Sequence, residues 1–393
     1  MENDTATDLK EPLRRTSTFI ERRRPGRVEY TDPALIALLR NPEAGPSTPA
    51  LPCESTRSAT ISDHVDHRPR SFDLTDFGNI RPTPGDRHRI VQRNLAALDA
   101  TGVRTGQLCG DEHRCDEWRQ LLAAEVAKIQ AFMASETYPK QLPTTESINA
   151  LVTILVSMSS AIRRMCLISG RDGTPQANHG VAQAIASLGY RTRVPGEYAY
   201  WSDLRALCAS LCFYWAVAGA VAHQDFTTAR AFMHVPVSRN GVEEPAVSAL
   251  PLLALGAIEW RTLKGHQQRS TPASDFMFNL FRADVTDAAL DPSQTDEDLF
   301  DRVEFLISLE FSHQRLEQIA ASRRPMWFWV PLGRYVCNLG RRSLLERLAA
   351  HENLADSHPL LAAGLLGGTP ASAARAVQAM RRSFDIRARG DLP

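Results

Sequence analysis

The feature that most constrains this chain is a run of sixteen residues, Leu207 to Ala222, that has no polar face. Only Ser210 and Gly219 interrupt it. A helix that is apolar all round must be enclosed by other elements or by lipid. The run is shorter than the ~20 residues a helix needs to cross a bilayer. Asp203 and Arg205 precede it, and His223, Gln224 and Asp225 follow at once. We therefore expect a helix at the centre of a protein core, with no membrane span. The rest of the chain must supply helices to surround it.

Apolar spacing marks those helices. His88 to Leu98 carries Ile90, Val91 and Leu95 at helical intervals. Asp116 to Ser135 places Trp118, Leu121, Leu122, Val126, Ile129, Phe132 and Met133 on one broad face. Pro139 and Pro143 end that segment, and Thr144 or Thr145 caps the next. That helix is read as continuous through Ile148, Leu155, Ile162 and Met165 to about Gly170. Gly170 to Val194 reads as a polar, glycine-bearing stretch with room for a short helix at Val181 to Leu188. Gly196 to Ala222 is the most apolar helix, and Phe226 to Met233 turns back against it. Asn240-Gly241 suits the positive φ angles of a tight hairpin. Helices follow at 247–263, 272–283, 296–322, 340–352, 357–365 and 370–386. Other strand signals are nearly absent, and no fixed-period repeat is found. The expected class is all-α: an irregular antiparallel helical bundle or an α-solenoid-like array.

Residues 1–85 differ in kind. They are rich in Arg, Ser, Thr, Pro and Asp and hold few large apolar groups, so burial cannot offset the entropy of ordering them. We read them as a long disordered N-terminal arm, followed by an N-terminal helical region at 86–203 and a C-terminal helical domain at 204–388. One apolar island lies in the arm. Thr31-Asp32-Pro33 resembles a helix cap with proline at the first helical position. Ala34 to Arg40 then carries Leu35, Ile36, Leu38 and Leu39. Two turns are too short to be stable alone. The island either docks on the chain's own helices or anchors another protein. Just upstream, Lys10 to Arg27 holds seven basic residues against Glu11 and Glu21. Phe19 is the one aromatic there, which is poor equipment for base stacking, so nucleic acid is not the expected partner. Over the whole chain 45 basic side chains balance 45 acidic ones, so no global field attracts polyanions.

Chemical motifs are sparse. Cys109, His113 and Cys115 could give a zinc ion three ligands, but a fourth is missing and no Cys-x2-Cys pair is present. An exposed polar loop is the plainer reading. Cys208 and Cys212 share one face of the most apolar helix, where thiols are inert packing groups. The acidic run Asp296-Glu297-Asp298, with Asp301 and Glu304, is explained by the positive end of a helix dipole after Thr295. Glu304 and Glu310 stand apart because apolar residues surround them in sequence. Met326-Trp327-Phe328-Trp329 and Gly333-Arg334-Tyr335 form an aromatic cluster. Core packing is its default, and Trp327, Trp329, Arg334 and Tyr335 are its candidate partner-facing residues. Gly364-Leu-Leu-Gly367-Gly368-Thr369-Pro370 has the glycines of a phosphate loop without its lysine or preceding strand. It reads as one helix end followed by the cap of the next. No catalytic residue and no cofactor is assigned. Seven scattered cysteines and a polar N-terminus point to reduced thiols and a cytoplasmic setting.

Three stretches together resemble the C-terminal all-helical region of bacterial multidomain proteins associated with phage defence, as found after SIR2-like effector domains. They are Ser270-Thr-Pro-Ala-Ser-Asp275 with the helix to Arg282, then Leu299 to Leu309, then Pro331-Leu-Gly-Arg-Tyr335 with Leu360 to Gly368. The resemblance covers roughly 204–388, and residues 1–200 show no effector domain. It implies a sensor or scaffold piece acting with a separately encoded effector, and it carries over no catalytic residue. The expected function is thus a non-enzymatic protein–protein interaction module, with the arm as tether or self-docking segment. The rivals are an enzyme with an unrecognised site, a nucleic-acid-linked defence factor using the arginine-rich arm, and a secreted effector.

Overall fold

The computed structural model describes residues 115–140, 142–190, 198–256, 271–285, 296–322, 330–331, 333–338 and 340–388. These form an all-α fold with one small hairpin. The arm, with its 33–40 island, lies outside the described residues.

Helix α1 (Cys115–Ala134) buries Trp118, Leu122, Val126, Ile129, Phe132 and Met133, the face its spacing foretold. Next come α2 (Thr145–Met158) and α3 (Ser160–Asp172). The sequence reads this pair as one helix; the chain bends there by 50° at Ser159. Apolar periodicity runs through the bend, so spacing alone did not show it. A buried arginine on α3 supports the break. Arg163 donates to the Val156 carbonyl at 2.7 Å and to Ser159 Oγ at 2.8 Å. It also forms a buried ion pair with Asp284, at 2.7 Å from Nε. The bend and a distant helix are thereby tied by one guanidinium.

Helix α4 (Pro175–Gly189) is longer than the short segment expected at Val181 to Leu188. Thr174 accepts from the Ala177 N–H, and Pro175 occupies the first turn, so its start signals were present in sequence. Helix α5 (Ala199–Leu204) and α6 (Leu207–Ala222) divide the apolar segment at Arg205-Ala206. Every residue of α6 from Leu207 to Val221 is buried. By length and composition Tyr200–Ala222 could cross a membrane, but 94% of its most apolar window is buried inside the fold.

Helices α3 and α6 approach closely in the core. A Cβ added to Gly170 would stand 2.2 Å from the Ala216 carbonyl oxygen, and one on Gly219 would stand 2.1 Å from that of Leu167. Each glycine lets the other helix's backbone in. The interruption at Gly219 is therefore a contact point.

After α6, Gln224 turns the chain at φ 60° and Asp225 caps α7 (Phe226–Met233). Strands β1 (Pro236–Arg239) and β2 (Val242–Pro245) pair antiparallel, with Asn240 at φ 52° and Gly241 at φ 81° in the turn. These two positive φ angles are what a two-residue hairpin needs. Helix α8 (Ala246–Gly256) follows directly. Then come α9 (Pro272–Val285), the long α10 (Asp296–Ser322), α11 (Tyr335–Asn338), α12 (Gly340–Glu352) and α13 (Pro359–Ala362). A 3-10 turn at Leu365–Gly368 leads into α14 (Pro370–Ala388). One core cluster takes in residues from Trp118 to Phe384. Helix α6 packs on α2, α3 and α4 before it and on α7, α8 and α10 after it.

Candidate functional site

Among the buried carboxylates of the long helix α10 are Glu304 and Glu310, the two singled out from sequence. Neither faces water, and each gathers segments that are far apart in the chain. Ser274 Oγ donates to Glu304 Oε2 at 2.6 Å, and the Arg334 N–H donates to the same oxygen at 3.1 Å. Gly333 is needed here: a Cβ would lie 2.1 Å from that carboxylate. Burial is the main cause that pushes the Glu304 carboxyl up to about 8; Asp301 adds to the rise, while the Ser274 bond opposes it. Tyr214 on α6 feels the same group: burial first, then Glu304 and Tyr335, hold its phenol above its usual range.

Arg334 and Tyr335 are buried here and tie segments together. The Arg334 guanidinium lies 3.7 Å over the Phe278 ring, pairs with Glu297 and comes within 3.6 Å of Asp301. Tyr335 shares a 3.0 Å hydrogen bond with Ser308 Oγ, which donates to the Pro331 carbonyl at 2.6 Å. Asp284, Asp301 and Glu304 thus all serve contacts between elements.

Glu310 is fully enclosed and accepts at both oxygens. His234 Nε2 meets Oε1 at 2.8 Å, Gln314 donates to Oε1 at 3.0 Å, and the Leu366 N–H donates to Oε2 at 2.7 Å. Burial pushes this carboxyl up, but the bonds from His234 and Leu366 more than reverse that, so it lies below its usual range. The Leu366 bond matters because Leu366 is held at φ 54°, a left-handed conformation that a leucine adopts at a cost. Arg230 Nε donates to the Gly364 carbonyl at 3.1 Å on the same loop. The stretches 270–282, 331–335 and 360–368 therefore meet along α10, through Glu304 and Glu310.

The remaining sequence candidates divide simply. Cys115 is buried, with its Sγ 3.0 Å from Thr174 Oγ1. Cys109 and His113 lie outside the described residues, as do Leu35, Ile36, Leu38, Leu39, Trp327 and Trp329. No group of three or more metal-ligating side chains occurs among the described residues. Cys208 and Cys212 are buried in the core, and burial raises both thiols well above the usual range.

Sequence reading missed the surface tyrosines. Tyr190, Tyr198 and Tyr200 are 58%, 43% and 48% exposed, and Val242 is 60% exposed. Neighbouring residues bring the end of α4 and helix α5 to the hairpin. Gly189, next to Tyr190, abuts Val237 of β1. Asp203 of α5 lies 4.0 Å from Arg239, which pairs with Val242 across the hairpin. In Tyr198-Ala-Tyr200-Trp201, Trp201 is buried while Tyr198 and Tyr200 are exposed. The fold thus defines an all-α unit with a polar-tied core and an aromatic edge. No family model, curated protein or solved structure matches the chain.

Proposed function

We propose that the helical unit is a protein–protein interaction or scaffold module, and that its partner binds at the edge formed by Tyr190, Tyr198, Tyr200 and Val242. The observation that carries this reading is the exposure of three tyrosines at the end of α4 and the start of α5. Tyrosine supplies large contact area at small entropic cost and is enriched where interfaces concentrate their energy. The buried carboxylates support the same reading, since their partners are structural groups of the fold. The resemblance of 204–388 to helical regions that follow effector domains favours a separately encoded bacterial effector as the partner. The arm would then tether that partner through Leu35, Ile36, Leu38 and Leu39.

The test is a quantitative capture from the native cell with tagged full-length protein. Three baits are compared: the natural sequence, a Tyr190→Ser/Tyr198→Ser/Tyr200→Ser variant, and Leu35→Asp/Leu38→Asp. The tyrosine variant should lose the captured protein while its melting temperature stays within a few degrees of the parent. Loss in the leucine variant alone would move the site to the arm. Equal capture by all three, or capture by none, would refute the tyrosine edge.

A further inference from the structure

The glycine run at 364–370 is only partly accounted for by capping. Thr369 Oγ1 accepts from the Ser372 N–H at 3.2 Å, and the Thr369 carbonyl accepts from Ala373 at 3.0 Å. Pro370 has no N–H. The Ala371 N–H, the remaining donor of the first turn, has no acceptor within the described fold. Helix α14 is 19 residues long, so its N-terminus carries a full positive dipole end.

A second and independent feature faces the same place. His313 is only 7% exposed and has no hydrogen-bond partner among the described residues. Its Cε1, the atom between the two ring nitrogens, is what a Cβ on Gly367 would meet, at 2.7 Å. The polar edge of the ring is therefore turned toward the loop. The same added Cβ would lie 3.0 Å from Ser372 Oγ. Gly367 itself is exposed and held at φ 76°, with Gly368 at φ 67°. Ser372 Oγ accepts from Arg375 Nη2 at 3.1 Å, which leaves its own proton to donate. One loop thus collects a helix N-terminus, an unbonded imidazole, a hydroxyl and a guanidinium.

We propose that this loop is an oxyanion site that takes a phosphate group, free or as a monoester. The donors would be the Ala371 N–H, His313, Ser372 and Arg375. Two carboxylates lie nearby. Glu310 is already engaged by His234, Gln314 and Leu366. Glu317 lies 3.6 Å from Arg375, with both side chains more than half exposed, so it competes with an incoming anion for that guanidinium.

The experiment follows the His313 ring by NMR in full-length protein labelled with ¹⁵N-histidine. Inorganic phosphate and adenosine 5′-monophosphate are titrated separately at constant ionic strength. A saturable shift is expected, weakened about ten-fold in Arg375→Gln and strengthened several-fold in Glu317→Gln. Both substitutions are at exposed positions, so the fold is retained. Response to phosphate identifies the free anion as sufficient; response to the monophosphate alone assigns the site to esters. No saturable shift with either probe, or a shift that Arg375→Gln leaves unchanged, overturns the proposal and leaves the run as a cap.

Discussion

A carboxyl buried beside Ser274, Gly333, the Arg334 backbone and Tyr214 keeps its proton where an exposed one would lose it. Glu304 stands at about 8 in the fold against an ordinary 4.5. Between these values the folded chain holds a proton that the unfolded chain has released. Stability from this group is therefore complete below the lower value and is lost as pH rises through the upper one. At roughly 1.4 kcal/mol per pH unit, the loss reaches a few kcal/mol. Urea midpoints measured from about pH 5 to about pH 8 should fall for the parent. Glu304→Gln, which mimics the protonated group, should flatten that slope; an unaltered slope would mean that Glu304 is ionised in the fold. Sequence singled out Glu304 and Glu310 because apolar residues flank both. It could not supply their partners: Ser274 is 30 positions from Glu304 and His234 is 76 from Glu310. Only tertiary packing brings them together.

Several elements were legible from their spacing and turn residues, although α4 was read too short despite its Thr174-Pro175 start. The bounds 296–322 and 340–352 match α10 and α12, and Asn240-Gly241 makes the expected hairpin. The bend at Ser159 was missed because the apolar period runs through it; Arg163 fastens it to Val156 and Ser159 and, 121 positions away, to Asp284. Arg163→Met should cost about 3 kcal/mol, since it removes the nearer of the two guanidiniums beside the buried Asp284 and leaves only Arg164, 3.9 Å away. Adding Asp284→Leu should restore much of that, and chemical denaturation of the single and double variants measures the coupling. If the double variant proves weaker than Arg163→Met alone, the pair is not what secures the bend. At the crossing of α3 and α6, Gly170→Ala or Gly219→Ala drives a methyl into a backbone carbonyl. Either should lower stability by about 1–3 kcal/mol or more in the same assay. A neutral result would show that the helices can separate without penalty.

At the scale of the molecule, the all-α class followed from the sequence, whereas the tyrosine edge did not. Tyr190 follows α4, Tyr198 and Tyr200 stand at the start of α5 and Val242 is on the hairpin, and their exposure is a property of the assembled surface. The enclosure of α6 has a practical consequence for dividing the chain. Its flanks are covered by α2, α3 and α4 from upstream and by α7, α8 and α10 from downstream. A polypeptide beginning at Leu204 would carry a sixteen-residue greasy rod with one side bare. Made alone, 204–388 should collect in inclusion bodies, and co-expression with 86–203 should bring it into solution. A soluble, monomeric 204–388 would mean that the upstream helices are ornament to a self-sufficient half. Otherwise the two halves are joined by a shared spine, and neither can be exchanged, lost or fused elsewhere without the other.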